Sequence, residues 1–215
     1  TKDLSFNYTL LPLNNEVYGL ALQADGKLLV GTLGRAFRLN ADGSTDEGFS
    51  GLVTATFGVF YPYVSAITVQ PDNKILIGGY FSSIQGSSRI SNIGRLNEDG
   101  TRDNSFNGES TIEYGVFPGT NAPVSSIALQ PDGKIIVGGS FDHYYAINSL
   151  TGNKNYILRL NNDGLVDNSF NPGGNAANAA VNAVAVLPDG KIMIGGNFTS
   201  FNGILINHIA RLNGD

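Results

Sequence analysis

The chain of 215 residues is rich in glycine, with 28 residues, and only 14% of it is charged, against about 25% in an average globular domain. Its 41% of apolar residues suffice for a packed core, so the composition excludes global disorder and favours repeated β-structure over helices. The net charge is −5, and the basic residues do not cluster along the sequence. No apolar run reaches the roughly 20 residues of a membrane helix. We therefore expect neither nucleic acid binding nor membrane insertion.

One sequence unit occurs four times along the chain. Each copy begins with two aliphatic, largely β-branched runs that are joined by Pro-Asp-Gly or a close variant, and a lysine follows this turn. The four lysines are Lys27, Lys74, Lys134 and Lys191. Because Gly, Asn and Asp accept the positive φ angles of tight turns, each copy is predicted to begin with a β-hairpin.

A third predicted strand follows each hairpin and ends in Arg-Leu-Asn-x-Asp. Its arginines are Arg38, Arg95, Arg159 and Arg211. In the first three copies a short tail segment comes next, an Asp followed three positions later by Phe, at residues 46–49, 103–106 and 167–170. The fourth copy lacks this tail, whereas residues 3–7 at the N-terminus carry the same pattern.

A split unit of this kind is typical of circular repeat proteins, because a segment donated from the N-terminus covers the edge of the last unit. The sequence therefore predicts an all-β fold, a four-bladed β-propeller whose ring is closed by the N-terminal segment. It forms a single domain, 1–215, with repeats at about 8–50, 51–107, 108–171 and 172–215 plus 1–7.

Residues 131–141, 159–164 and 167–172 resemble the delta-60 repeat, a propeller-type β repeat of bacterial surface and secreted proteins and of phage particles. The resemblance extends over nearly the whole chain. It implies a propeller fold and an extracellular, cell-surface or virion location, within a larger multidomain protein. It implies no settled chemistry. The first copy departs from the pattern, because about ten residues are missing before Arg38, and a tight turn is expected at Gly34 and Arg35.

The motifs of common enzymes are missing. The two histidines, His143 and His208, lie in different copies without a metal-ligand spacing, and there is no cysteine, phosphate-binding loop or nucleophile elbow. The sequence does not exclude a pair of carboxylates for glycoside hydrolysis, because such a pair is defined by its separation in space. The repeated Asn-x-Asp-Gly-x-x-Asp segments faintly resemble calcium loops but lack the terminal glutamate, and Asx turns account for the same residues. We predict a protein that is not an enzyme and has no cofactor or metal.

Residues that interrupt the repeat are the candidates for recognition, because loops on a rigid scaffold carry binding sites. The candidate ligand-binding residues are His143, Tyr144, Tyr145, Asp142, Asn148, Arg35, Tyr61, Tyr63 and Tyr114. The long loop of the third copy, with Tyr144 and Tyr145 outside the core, is expected to form the wall of a recess that has Arg35 at its low edge. Aromatic rings beside Asn and Asp stack on sugars, but they also anchor protein interfaces or cover the ends of a small core.

Together these features predict a binding or adhesion module at a bacterial cell or phage exterior, whose partner is a glycan or a cell-surface protein. A glycan is the preferred ligand. The alternative is a structural or protein-interaction propeller within a larger surface or tail-fibre protein.

Overall fold

The computed structural model describes residues 3, 5–6, 16–54, 61–86, 90–107, 118–146, 149–171 and 175–215. This part of the chain is built from β-strands, and no helix in it is long and apolar enough to cross a membrane. The strands are β1 (Gly19–Leu22), β2 (Leu28–Thr32), β3 (Arg35–Leu39), β4 (Gly51–Thr54), β5 (Tyr63–Val69), β6 (Ile75–Tyr80), β7 (Ser83–Ile84), β8 (Ile93–Leu96), β9 (Gly119–Thr120), β10 (Val124–Leu129), β11 (Ile135–Gly139), β12 (His143–Ala146), β13 (Ser149–Asn153), β14 (Ile157–Leu160), β15 (Val181–Val186), β16 (Ile192–Gly196), β17 (Ser200–Phe201), β18 (Ile204–Leu205) and β19 (Ile209–Leu212).

Each sequence copy forms a three-stranded antiparallel unit, here called a repeat sheet. Repeat sheet 1 contains β1, β2 and β3, repeat sheet 2 contains β5, β6 and β8, repeat sheet 3 contains β10, β11 and β14, and repeat sheet 4 contains β15, β16 and β19. Repeat sheet 1 is extended to five strands, because β4 pairs with β3 and β7 pairs with β4. The predicted hairpins are confirmed. In the second copy Val69 pairs with Ile75, and Asn73 takes the positive φ of 64° that the turn requires.

The long loop of each later copy pairs with the segment that joins it to the preceding copy. β4 pairs with β7, β9 pairs with β12, and Ala177 forms a bridge with Phe201. Each loop connects the second and third strands of its sheet, so these small outer pairings lie at the same end of every repeat sheet. The loops and the joining segments that the sequence singled out therefore share one end of the fold.

The repeat sheets stand side by side, and the core lies between them. The inner strands β1, β5, β10 and β15 are successive neighbours, and three main apolar clusters fill the spaces between the sheets. The close approach depends on glycine at the middle strand. A Cβ at Gly78 would lie 2.5 Å from Val124 Cγ1 and 3.0 Å from Ile127 Cδ1 of the next sheet, so any larger residue would push the sheets apart.

The predicted closure of the ring by residues 3–7 is not found in the described part of the chain. No strand pairing there joins repeat sheet 4 to repeat sheet 1. Phe6 is 36% exposed, whereas the equivalent phenylalanines of the three internal tails, Phe49, Phe106 and Phe170, are 7%, 0% and 7% exposed. Phe6 therefore lacks the buried pocket that was expected for it on the last repeat sheet.

Candidate functional site

In the first three copies the repeated arginine and lysine both bind the tail carboxylate. In the second copy Asp103 Oδ2 accepts hydrogen bonds from Arg95 Nε at 2.7 Å and from Lys74 Nζ at 2.8 Å, and the Arg95 guanidinium lies 4.9 Å from the centre of the Phe106 ring. The same arrangement recurs at Asp46 and at Asp167. Burial alone would raise the pKa of Asp103, but hydrogen bonds from Lys74, Ser105 and Arg95 outweigh it and hold the pKa well below its usual range.

The arginines of the first three copies, Arg38, Arg95 and Arg159, also link neighbouring sheets. Arg95 Nη1, for example, donates to the Asn162 carbonyl of the next repeat at 2.5 Å. The Asp side chains of the following turns form Asx turns. Asp99 Oδ1, for example, accepts the Thr101 amide at 2.8 Å. No group of three or more acidic or histidine side chains in the described ranges is arranged to hold a metal ion. These repeated residues thus hold the scaffold together.

A different polar cluster lies at the loop end of repeat sheet 3. Asn121 Oδ1 accepts the backbone amides of Asp142 and His143 at 3.2 and 3.1 Å, and Asn121 Nδ2 donates to Asp142 Oδ1 at 2.7 Å. His143 Nδ1 lies 2.6 Å from the same oxygen, and the rings of His143 and Tyr145 stack with their centres 6.4 Å apart and an angle of 14° between planes. We call Asn121, Asp142, His143 and Tyr145 the loop cluster.

Strand alternation explains which side chains the loop cluster contains. Successive residues of β12 point to opposite sides, so His143 and Tyr145 share one side and Tyr144 lies on the other. Asp142 and His143 have side chains that are 52% and 39% exposed. Hydrogen bonds from His143 and Asn121 lower the pKa of Asp142, so this carboxylate is ionised at neutral pH and presents a negative charge to solvent.

Tyr144 corrects the expectation that both tyrosines lie outside the core. Its side chain is buried, and its hydroxyl lies 2.7 Å from Asn107 Oδ1 and 2.6 Å from the Gly164 carbonyl oxygen. Burial raises the pKa of this phenol far above its usual value. Tyr144 in this conformation cannot touch a ligand at the surface.

The sequence did contain a signal for this burial. Each long loop has an apolar residue three positions after a buried phenylalanine, and these residues are Ile84, Tyr144 and Phe201. Because the position recurs with apolar character, Tyr144 belongs to the repeat pattern and is not an interruption of it. Asn121 was missed for a different reason, since a single Asn in a joining segment carries no signal until the loop folds back onto it.

Of the other predicted site residues, Tyr61 and Tyr63 lie at the junction of repeat sheets 1 and 2. Tyr63 contacts Tyr18 and Tyr80, with ring centres 5.2 and 6.1 Å apart, and neither of these two partners was predicted. Tyr61 is 74% exposed beside them in the chain. A tight turn is present here, but it lies at Leu33 and Gly34, one residue before the predicted Gly34 and Arg35, since Thr32 pairs directly with Arg35, the first residue of β3.

Arg35, that first residue of β3, places its guanidinium 5.3 Å from the centre of the Phe37 ring. Within the described ranges no hydrogen bond or ring contact joins Arg35 or Tyr63 to the loop cluster. Two surface grooves of about 730 and 520 Å³ lie elsewhere, between repeat sheets 3 and 4. The expected recess between Arg35 and the loop of the third copy therefore has no contact to support it.

The last two predicted site residues, Asn148 and Tyr114, fall outside the described residues.

The repeat units match a known family of propeller domains. The family described as "Domain of unknown function (DUF5122) beta-propeller" matches residues 23–49, 70–106, 130–170 and 187–215, which together are more than half of the chain. The chain belongs to this family. A model of the WD domain, G-beta repeat, also matches residues 112–147. No curated protein sequence matches the chain significantly.

Several solved structures are similar to this chain. The extracellular domain of the one-component system BT4673 from B. thetaiotaomicron is 15% identical with a TM-score of 0.51, over 94% of this chain and 22% of that protein. A protein of unknown function from Bacteroides caccae is 15% identical with a TM-score of 0.39, over 96% and 81%. Luciferin-regenerating enzyme is 12% identical with a TM-score of 0.40, over 94% and 62%. The chain spans about a fifth of the BT4673 domain, and the match to that domain, at 15% identity, shows the fold alone.

Proposed function

We propose that this protein is a non-enzymatic recognition module that acts outside the cell and binds a glycan at the loop cluster. The observation that carries the proposal is the stacked pair of His143 and Tyr145 next to a charged Asp142. Sugars present apolar ring faces and rows of hydroxyl groups, so an accessible aromatic pair beside hydrogen-bonding groups fits both features. The hydrogen bonds of Asn121 and His143 go to Oδ1 of Asp142, which leaves Oδ2 to accept from a ligand hydroxyl.

The rigidity of the loop cluster supports the same proposal. Asn121 fixes the start of β12 through two backbone amides, so its neighbours are ordered before a ligand arrives, and the entropic cost of binding falls. The exterior location is supported by the resemblance to the delta-60 repeat and by the extracellular domain of BT4673 among the similar structures.

A glycan array probed with the labelled protein tests this proposal. We expect binding to a restricted set of glycans, and Tyr145→Ala should weaken it at least tenfold, a loss of about 1.4 kcal/mol. Tyr61→Ala is the matched control, because it removes an exposed tyrosine outside the loop cluster and should leave binding unchanged. An array without any hit, or a hit that Tyr145→Ala binds as well as the parent does, would contradict the proposal.

A structural, self-associating module is the second candidate function. It is favoured by large aliphatic side chains that remain exposed on the first and last repeat sheets, including Leu20, Leu22 and Ile209 at 59%, 72% and 61%. Exposed apolar patches of this kind mark interaction surfaces.

A further inference from the structure

Three tyrosine rings form a row across the junction between repeat sheets 1 and 2. Tyr18 immediately precedes β1, and Tyr63 and Tyr80 pair with each other across β5 and β6. Ring centres of Tyr18 and Tyr63 are 5.2 Å apart, and those of Tyr63 and Tyr80 are 6.1 Å apart. We call these three side chains the tyrosine row. It joins two neighbouring sheets of the chain and shares no residue with the loop cluster.

The repeat scaffold does not require aromatic residues at these positions. The other copies fold with small or polar residues in place of most of them. Tyr18 corresponds to Ser65, Ser125 and Asn182, Tyr80 corresponds to Ser140 and Asn197, and Tyr63 corresponds to Pro123 and Ala180. Three departures from the repeat therefore meet at one junction. Residues that a scaffold does not need, gathered in one place on its surface, indicate recognition.

The short loop of the first copy leaves this junction uncovered. In the third copy the long loop folds back and pairs through β12 with β9 of the joining segment. The first copy has only the tight turn at Leu33 and Gly34, which is bound to the joining segment through the Gly34 amide and the Pro62 carbonyl at 2.7 Å. A Cβ added at Gly34 would meet no described atom within 4 Å, so the space over this turn is open.

The tyrosine row is supported by the scaffold and is also accessible. Tyr18 is 40% exposed, and Tyr63 and Tyr80 are half-buried. The backbone below the row is fixed, because Leu33 forms a β-bridge with Tyr63 and Tyr63 pairs with Tyr80 in the sheet. The rings are therefore ordered before a ligand arrives, which lowers the entropic cost of binding.

A carboxylate lies at one end of the tyrosine row. The hydroxyl of Tyr18 donates to Glu16 Oε2 at 3.0 Å, and Glu16 is exposed. This hydrogen bond holds the negative charge next to the first ring. The whole chain also has a net charge of −5. A ligand that follows the row is therefore favoured when it carries a positive charge at the Glu16 end.

The tilt of the rings distinguishes between possible ligands. The ring planes are inclined by 35° between Tyr18 and Tyr63 and by 50° between Tyr63 and Tyr80, so the row has slots between its rings instead of one flat platform. A polyproline II helix rises about 3.1 Å per residue, so residues two positions apart are separated by about 6 Å, close to the spacing of the ring centres. Segments of this type dock in grooves that are lined by aromatic residues.

We propose that the tyrosine row binds a proline-rich segment of a partner protein in the polyproline II conformation, with a basic residue of that segment paired with Glu16. Proline rings occupy the slots on either side of Tyr63, and an arginine or lysine at the Tyr18 end binds the carboxylate. Because the polyproline II helix is formed before binding, it loses little conformational entropy when it docks. This inference does not depend on glycan binding at the loop cluster.

Fluorescence anisotropy with two labelled peptides of equal length tests the proposal. One peptide is an arginine followed by a run of prolines, and the other is an arginine followed by alternating glycine and serine. We expect the parent chain to bind the proline peptide about tenfold more tightly, a difference of about 1.4 kcal/mol. Tyr18→Ser and Tyr80→Ser introduce the residue that other copies have at these positions, so both variants should fold, and each should weaken binding of the proline peptide about tenfold.

Tyr145→Ala is the matched control, because it removes a tyrosine of the loop cluster and should leave peptide binding unchanged. Circular dichroism and melting temperatures of the three variants check that each one is folded. Failure to bind either peptide at millimolar concentration, equal binding of both peptides, or full binding by folded Tyr18→Ser and Tyr80→Ser would each overturn the proposal. A glycan that requires Tyr18, in the absence of peptide binding, would assign the row to sugars and overturn it as well.

Reversal of the charge at Glu16 tests the orientation of the bound segment. Glu16 is exposed, so Glu16→Arg should not disturb folding. The parent chain should prefer the peptide that begins with arginine over the same proline peptide beginning with glutamate, and Glu16→Arg should invert this preference. A preference for arginine that Glu16→Arg leaves unchanged would contradict the pairing of the basic residue with Glu16.

Discussion

The hydroxyl of Tyr144 lies 2.7 Å from Oδ1 of Asn107, so a loop of the third copy is joined to the end of the second copy's tail. Asn107 also donates its backbone amide to the Asp163 carbonyl, and the same hydroxyl reaches the neighbouring Gly164 carbonyl. Two repeats therefore share one buried polar contact at their junction. The loop that was expected to be a freely presented binding surface is anchored on one side to the scaffold.

Tyr144→Ala should destabilise the protein by about 3–5 kcal/mol, because it removes a fully buried ring and leaves a cavity. Tyr144→Phe keeps the ring and loses the hydroxyl, so we expect about 1–3 kcal/mol from the unsatisfied Gly164 carbonyl. Urea unfolding followed by fluorescence measures both. Tyr145→Ala is the matched control on the other side of β12, where the ring is half-buried, and it should cost clearly less than Tyr144→Ala. Equal losses for Tyr144→Ala and Tyr145→Ala would contradict the burial of Tyr144.

Calcium should not stabilise the protein. The Asp side chains of the Asn-x-Asp-Gly turns accept backbone amides two residues on, and the tail carboxylates already bind Lys and Arg, so few oxygen ligands remain for a cation. We expect the same melting temperature in millimolar calcium and in chelator. A rise of many degrees that chelator reverses would show a native-state calcium site, because a ligand of the folded state raises stability by mass action.

The local parts of the fold were predictable because their chemistry is local. The hairpin turns follow from residues that accept positive φ, such as Asn73 and Gly133, and the alternating aliphatic runs fix which faces are buried. Ring closure was predicted from the match of residues 3–7 to the internal tails, and the match in local geometry is real at Asp3 and Ser5. Docking of this segment on the last repeat sheet is a separate requirement. It needs a partner surface, and no sequence pattern determines where that surface lies.

The candidate site was less predictable than the fold. The aromatic residues of the third loop divide between core and surface according to strand register, which places Tyr144 inside and Tyr145 outside. Register depends on pairing with Gly119 and Thr120, more than twenty residues earlier in the chain. A search for aromatics that interrupt the repeat finds the loop, but it cannot tell which of its rings meets solvent.

Arg95 and Lys74 bind the same carboxylate but should contribute unequally. The Arg95 side chain is 5% exposed and also bonds the next repeat, whereas that of Lys74 is 32% exposed. Arg95→Met should cost about 3–5 kcal/mol, because breaking a buried ion pair leaves a partly uncompensated charge. Lys74→Met should cost about 1 kcal/mol or less, as partly exposed pairs do. Chemical denaturation of the two variants measures the difference, and equal losses would contradict this division.

Acid should destabilise the protein through the tail carboxylates. The folded-state pKa values of Asp103 and Asp167 lie below the ordinary value of 3.8, because the hydrogen bonds to their charged forms outweigh the opposing effect of burial. Because the folded-state pKa is lowered, the unfolded chain takes up protons at a higher pH than the folded chain does. The stabilisation that the ionised tail carboxylates provide is therefore complete above the unfolded-state pKa. It is lost as the pH falls from there towards the folded-state pKa. The free energy of unfolding should therefore decline from about pH 5 towards pH 2.

Asp103→Asn identifies the source of that decline. The variant should be less stable than the parent near neutral pH, because Arg95 and Lys74 lose a charged partner. It should also depend less on pH between about pH 5 and pH 2, since one linked proton is removed. Asp72→Asn, a substitution in the exposed hairpin turn before Lys74, is the matched control and should keep the acid dependence of the parent. If the urea midpoints of the parent and Asp103→Asn fall in parallel as the pH is lowered, the acid sensitivity arises from other groups.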